Sequence, residues 1–201
     1  MSSESGSKLT YRKVPFEWYA DQAIVLRESA EANSWITSDT DDRFIDVVAQ
    51  CLAASIDTSD LAAVKSLGST IAAETLFDSA PKWQVSREVD WWRMLCHRGD
   101  PVGFVLPVTF DLMVRTGLSE GTIFHMGVIP EFRGRGFGRL LLREAVRILL
   151  SSGVRRIFCD TDETNEPMIH LFESEGWGRL PIREVPLPLG FSPGDRTKIT
   201  D

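Results

Sequence analysis

One stretch of this chain has the makings of an anion cradle: Arg133-Gly134-Arg135-Gly136-Phe137-Gly138-Arg139. Alternating glycines let a backbone take positive φ and approach a ligand closely. An amphipathic pattern begins at Phe137, so the loop feeds the start of a helix, where unpaired N–H groups and the positive end of the helix dipole favour an anion. Arg133, Arg135 and Arg139 add full charges. The spacing excludes two familiar nucleotide loops. No Lys-Ser or Lys-Thr pair follows the glycines, as a P-loop requires. Arg139 stands where the third glycine of a dinucleotide fingerprint belongs, and the loop comes too late in the chain to open a first strand–helix unit.

The surrounding charge supports a single anionic ligand. The chain has 22 Lys and Arg against 29 Asp and Glu, a net −7, which argues against a nucleic-acid binder with a basic surface. Seven arginines between Arg133 and Arg156 face one acid, Glu144, so this segment carries +6 and the remainder −13. Cys51, Cys96 and Cys159 are far apart and odd in number, which reads as buried free thiols rather than disulfides or a metal site. No metal is expected. The polar start MSSESGSK and the lack of any 18-residue apolar run predict neither a signal peptide nor a membrane span, hence a cytoplasmic protein.

The elements that must hold the loop can be placed by periodicity. At 201 residues, 43% of them hydrophobic, the chain can bury a full core without staples. Residues 1–9 read as a disordered tail and 10–201 as one domain. From Tyr11 to about Asp78 the pattern is mainly helical. Asp41 or Asp42 would cap a helix carrying Phe44, Ile45, Val48 and Leu52; Ser59 or Asp60 would cap a second running through Leu61, Leu67, Ile71 and Leu76. Lys82 to Asp90 is a connector. Val89–His97 and Val102–Phe110 form a hairpin around Arg98-Gly99-Asp100, with Pro107 at an edge or bulge. Thr122–Ile129 is a strand, Phe137–Ser152 a helix stopped by Gly153, and Arg155–Asp160 another strand. Asn165 opens a short helix that Gly176 ends, and Trp177–Pro188 adds one or two strands. The sum is a mixed α/β sheet. The arginines at 139, 143 and 147 share one helix face, and Arg143 and Arg147 read as solvated.

Val128-Ile129-Pro130-Glu131-Phe132 followed by the glycine loop and Leu140-Leu141 resembles the acetyl-CoA motif of the GNAT-type N-acetyltransferase superfamily, whose core Q/R-x-x-G-x-G/A falls on Arg133, Gly136 and Gly138. Asn165, Leu171, Glu173, Gly176 and Trp177 have the spacing of the family's second motif, and Asp100-Pro101-Val102-Gly103-Phe104 is similar to its hairpin. The resemblance covers about residues 85–180. It implies the GNAT fold: a central mixed sheet splayed at the acetyl-CoA site, flanked by helices, here with an N-terminal helical portion.

The resemblance also implies roles. Acetyl-CoA is the co-substrate, its pyrophosphate held by Gly134, Arg135, Gly136, Phe137, Gly138 and Arg139, with Arg133 beside them. Its pantetheine arm lies along Met126 and Val128 as a pseudo-strand. Asn165 bonds the pantetheine, or else is an ordinary N-cap. Many members carry a tyrosine seven residues after that asparagine to protonate the departing thiolate; this chain has Phe172, which leaves the general acid unassigned. Two residues are candidates for the general base: Glu120 at the start of the strand before the loop, and His125, whose ring titrates in the right range but which strict alternation turns away from Thr122, Phe124 and Met126. His97 and His170 read as surface residues, and the six tryptophans as core, with Trp18 and Trp35 near an acceptor wall. The implied activity is acetyl transfer to a primary amine, of a small molecule or a peptide, by direct attack in a ternary complex. A non-catalytic acyl-CoA-binding module is the alternative, and a nucleotide-binding oxidoreductase a distant third. A monomer or homodimer is expected.

Overall fold

A strand, not a helix, begins the fold. In the computed structural model, which describes residues 10–22, 32–37, 43–79, 85–110 and 119–188, β1 spans Thr10–Tyr19. It buries Val14, Phe16 and Trp18, a two-residue repeat with β-branched and aromatic side chains. The short strand β2, Asn33–Thr37, follows. The expected helical N-terminal portion therefore shrinks to residues 43–79. The expected tail and the caps at Asp41 and Asp42 lie outside the described residues.

Three helices fill that portion: α1 (Arg43–Ala53), α2 (Thr58–Leu67) and α3 (Ser69–Ser79). The single second helix read from the sequence is two. Gly68, at φ 80°, breaks it, and Asp57 rather than Ser59 or Asp60 stands at the N-cap of α2. The break also turns two residues of the expected apolar stripe outward, leaving Leu67 and Ile71 exposed.

The remaining elements lie close to their expected places. They are β3 (Val85–Ser86), inside the expected connector, β4 (Arg93–His97), β5 (Asp100–Phe110), β6 (Glu120–Val128), a 3-10 turn at Pro130–Phe132 and α4 (Phe137–Ser151). After these come β7 (Arg156–Asp162), α5 (Glu166–Ser174), β8 (Gly178–Arg179) and β9 (Arg183–Pro186). Arg98 and Gly99 both take positive φ, 54° and 92°, in the tight turn of the β4–β5 hairpin.

The strands form one sheet in the order β2-β4-β5-β6-β7-β1-β8, with β3 on β5 and β9 on β1. Every pairing is antiparallel except β6–β7. Alternation sorts the core into two layers. Leu95 and Val105 join Leu141, Leu142, Ala145 and Leu149 of α4, together with Phe172 of α5. Met94, Phe104, Leu106 and Val108 join Phe44, Val48 and Ala73 of α1 and α3.

The β5–β6 pairing slips at Pro107. His125 lies opposite Leu106 but Ile123 opposite Pro107, so Phe124 is an extra residue. Proline has no N–H to give the ladder, and the bulge falls where the sequence reading places it. Its consequence reaches the site, because it resets the alternation of β6. Met126 joins Ile123 on the α4 layer, whereas His125 stacks on Phe104, with ring centroids 5.6 Å apart, on the α1 side.

Candidate active site

The one parallel pairing of the sheet is also its gap. Strands β6 and β7 are in register only at Glu120↔Arg156 and Gly121↔Ile157. Beyond these pairs β6 runs on to Val128 and β7 to Asp162 around a cleft of about 1110 Å³. The N–H of Ile129 bonds the carbonyl of Val102, toward β5. By strand alternation the backbone groups of Val128 and Met126 point the other way, into the gap. The Val128 carbonyl is partly spoken for, since Arg133 Nε donates to it at 3.0 Å.

The cleft leads to the glycine loop. Gly134 and Gly136 take φ of 73° and 85°, and Gly136 is the N-cap of α4 with no side chain to cap it. The first amides of the helix are therefore open. A Cβ at either glycine would meet nothing within 4 Å, so the loop's outer face is clear. Gly127 shows the opposite reason for a glycine: a Cβ there would lie 2.8 Å from Cys51 Cβ and 3.0 Å from the Phe104 ring.

The arginines divide by task. Arg139 lines the cleft, held by Glu175 at 2.7 Å. Arg133 spends its guanidinium on the carbonyls of Val128 and Ala54, both at 3.0 Å, and so straps the loop to α1 instead of offering its charge freely. Arg135 stacks over Phe132, 5.6 Å from the ring centre, and does not line the cleft. Arg143 and Arg147 are not simply solvated: Arg143 grips Glu175 at 2.6 Å and Arg147 grips Glu144 at 2.7 Å.

On the α5 side, Asn165 caps the helix, its side chain accepting from the Met168 N–H at 3.3 Å, and it also lines the cleft with Phe172. Phe172 is buried between Phe16 and Trp177, with ring centroids 4.9 Å from each. Most of its ring belongs to the core.

Glu120 lies outside the cleft. It is buried at the closed end of the β6–β7 pair, bonded by Arg156 at 3.0 Å, and is not among the residues that line the cleft. Trp18 is core and Trp35 packs against the same layer; neither reaches the cleft. Trp92 and Trp177 are core as expected, while Trp83 lies outside the described residues. His97 is half-buried against Asn33, 2.8 Å away, whereas His170 is exposed at the cleft rim.

His125 does line the cleft, because the bulge turned it there. Its Nε2 is 3.0 Å from Asp60 Oδ1, and Ser55 Oγ donates to the other oxygen at 2.6 Å. Burial alone would raise the Asp60 pKa; His125 and Ser55 outweigh it and hold the carboxyl below its ordinary value. Burial alone would lower the His125 pKa, and the Asp60 charge outweighs that, raising it.

Beside this pair lies a network that no local pattern announces. Lys13 is 8% exposed and contacts Asp57 at 2.7 Å, Asp162 at 3.3 Å and Asp160 at 3.7 Å. The Thr58 amide and hydroxyl both donate to Asp162, and Arg183 pairs with Asp160. Tyr11, Phe110 and Phe158 complete this arm of the cleft. Lys13 and Asp57 are 44 positions apart, and His125 and Asp60 are 65 apart. Only long-range pairing of β1 and packing of α2 bring them together.

A strand gap opening onto a glycine-capped helix defines a class that comparison makes explicit. The family model described as Acetyltransferase (GNAT) family matches residues 66–177, more than half of the chain, and the protein belongs to that family. Among its relatives, the [ribosomal protein bS18]-alanine N-acetyltransferase of Haemophilus influenzae is 33% identical over 78 residues, 38% of this chain and 53% of its own length. The mycothiol acetyltransferase of Propionibacterium freudenreichii is 28% identical over 85 residues, 42% of this chain and 26% of its own. The chain thus spans about half or less of these relatives. A GCN5-related N-acetyltransferase from Sphaerobacter thermophilus superposes with a TM-score of 0.58 over 92% of this chain and 55% of that one at 18% identity, a likeness of fold.

Proposed function

We propose that the protein transfers an acetyl group from acetyl-CoA to a primary amine. The observation that carries this reading is the continuity of the unpaired β6 edge with the open amides at the start of α4. The loop amides of residues 134–138 and Arg139 hold the pyrophosphate, while the Met126 and Val128 backbone groups hold the amide-bearing arm as an added strand. The thioester then lies along the gap, toward the arm that contains His125.

An acceptor amine arrives as an ammonium ion and must lose a proton before its nitrogen can attack the thioester carbon. His125 is the base, and Glu120 is not. The nitrogen–carbon bond forms, the carbon–sulfur bond breaks, the nitrogen gives up its second proton, and the departing thiolate takes one up, the two passing through water. No tyrosine hydroxyl stands at Phe172 to supply it. Asp57, Asp60 and Asp160 outnumber Lys13 and Arg183 in the acceptor arm, so the arm favours a cationic amine over a neutral alcohol.

The test is release of free CoA thiol from acetyl-CoA with a panel of amines. The panel should include peptides with a free N-terminus and small amines, because the relatives are named for a ribosomal protein alanine and for mycothiol. Amine-dependent release supports transfer. Tight acetyl-CoA binding with no release from any amine favours the acyl-CoA-binding module instead, the reading that Phe172 motivates.

A further inference from the structure

We infer that Asp60 is the positioning residue of His125: it holds the ring as the Nε2–H tautomer and leaves Nδ1 as the nitrogen that takes the acceptor's proton. The inference rests on the proposed transfer reaction for its consequence, but on the geometry of the pair for its substance. An ionised carboxylate can only accept, so the 3.0 Å contact between Asp60 Oδ1 and His125 Nε2 requires the proton on Nε2. Asp60 is itself oriented by Ser55 at 2.6 Å. The ring plane is set by stacking on Phe104 at 17°. One hydrogen bond and one ring stack therefore fix the imidazole, with Ser55 holding Asp60 in place.

Its other nitrogen is the feature that points to a ligand. His125 Nδ1 is shielded from solvent and has no hydrogen-bond partner in the structure. Buried polar atoms are nearly always paired. The His125 side chain keeps 19% of its surface exposed and lines the cleft, but Nδ1 itself is covered. The groups over it must move aside before a water or the amine becomes the partner this nitrogen lacks. The proton leaving the ammonium passes to Nδ1, the amine keeps the electron pair with which it attacks, and Nε2–H stays with Asp60, whose charge stabilises the imidazolium that forms. The charged groups facing the ring are Asp60 and Asp57 from the start of α2 and Lys13 from β1. Cys51 of α1 lines the same stretch of cleft, uncharged because burial pushes its thiol up to about 12.

The pair is absent from the loop motif. Asp60 comes from α2, and its partner reaches it only through the extra residue at Phe124. Asp60 thus lies outside residues 66–177, the stretch that the family model matches.

The experiment uses the full chain labelled with ¹⁵N-histidine, with His125→Gln to assign the ring signals and Asp60→Asn and Asp60→Glu as test variants. Wild type should show the Nε2–H tautomer and a titration above the ordinary histidine value. Asp60→Asn should lose that tautomer preference and titrate lower, and Asp60→Glu should restore both in part. In turnover, Asp60→Asn should lower kcat by about tenfold or more and move the acidic limb of kcat/KM to lower pH, with acetyl-CoA affinity unchanged. An unchanged tautomer or an unmoved acidic limb in Asp60→Asn overturns the positioning role, as does full turnover in His125→Gln. Failure of the transfer reaction itself reads differently: no amine releases CoA from wild type, while the histidine spectra still report the Asp60 contact.

Discussion

Substituting Gly136 isolates the glycine loop from the rest of the fold. The residue has φ 85° and ψ −1°, and a Cβ there would touch nothing within 4 Å. Steric cost is therefore absent, and the left-handed backbone costs about 1–2 kcal/mol for an ordinary L-residue, less for Asn or Asp. A carboxylate at the N-cap regains about 0.3–1 kcal/mol from the helix dipole. Gly136→Asp and Gly136→Asn should both fold, with melting temperatures within a few degrees of wild type. Their ligand response should differ. Acetyl-CoA at 100 times its Kd stabilises the wild type by about 2.7 kcal/mol, which for this size of chain is about 5–10 °C. The aspartate places a charge where the pyrophosphate must approach, and two like charges about 4 Å apart near a protein surface repel by about 4 kcal/mol. That weakens binding by about three powers of ten, so the thermal shift of Gly136→Asp should fall below about 1 °C, while Gly136→Asn keeps part of it. The assay is thermal unfolding of the three proteins with and without acetyl-CoA. A wild-type shift in Gly136→Asp would remove the loop from the binding site and refute the reasoning.

Three further outcomes follow from the buried charges and thiols. Glu120→Gln should lower the melting temperature by about 2–10 °C, since it weakens one contact of Arg156, worth about 1–3 kcal/mol, while Glu17 still holds that arginine at 2.9 Å; kcat measured on the folded protein should not change, and a large loss would return Glu120 to the site. Lys13→Met leaves Asp57, Asp160 and Asp162 without their shared cation and should cost about 3–5 kcal/mol at pH 7. The Asp162 carboxyl is already raised by burial and by Asp57, so the folded variant binds protons more readily than the unfolded chain, and its deficit in urea melts should narrow as pH falls from 7 to 5. In the wild type, Lys13 has its pKa raised in the fold because its three carboxylates outweigh burial. Its contribution is therefore complete below about pH 10 and is lost only in stronger alkali. Burial pushes the Cys51 and Cys159 thiols up to about 12, and Cys96 is also buried. A thiol reagent at pH 7.5 should label the native protein far more slowly than the unfolded chain, and rapid labelling of native Cys51 would show that the cleft opens past Gly127.

The glycine loop, the helix after it, the hairpin and the Asn165 helix were legible because each is written in consecutive residues. A loop that presents its own amides to a ligand needs no distant partner to be recognised, and Gly153 and Gly176 end their helices by backbone conformation alone, at φ 88° and 78°. The N-terminal strand was not legible in the same way. Val14, Phe16 and Trp18 do alternate, but a central strand is stabilised by its neighbours, and those of β1 lie 137 or more residues away in β7, β8 and β9. The break at Gly68 was missed because one glycine within a helical pattern is compatible with both a continuous and a divided helix.

The arm of the cleft that holds His125 takes its shape from tertiary structure. Strict alternation along β6 turns His125 away from Thr122, Phe124 and Met126, but alternation holds only while the register of the pair holds. Pro107 has no N–H to give the ladder, Phe124 is left over as an extra residue, and His125 is thereby turned to the α1 side, where Asp60 waits. Glu120, at the closed end of the gap, finds Arg156 instead. The glycine loop is legible in consecutive residues because its form is local backbone geometry. The Lys13 carboxylate cluster and the His125–Asp60 pair draw on α2, β1, β6 and β7 through contacts of about 3–4 Å, and interactions at that range depend on registers and packing that no stretch of sequence contains.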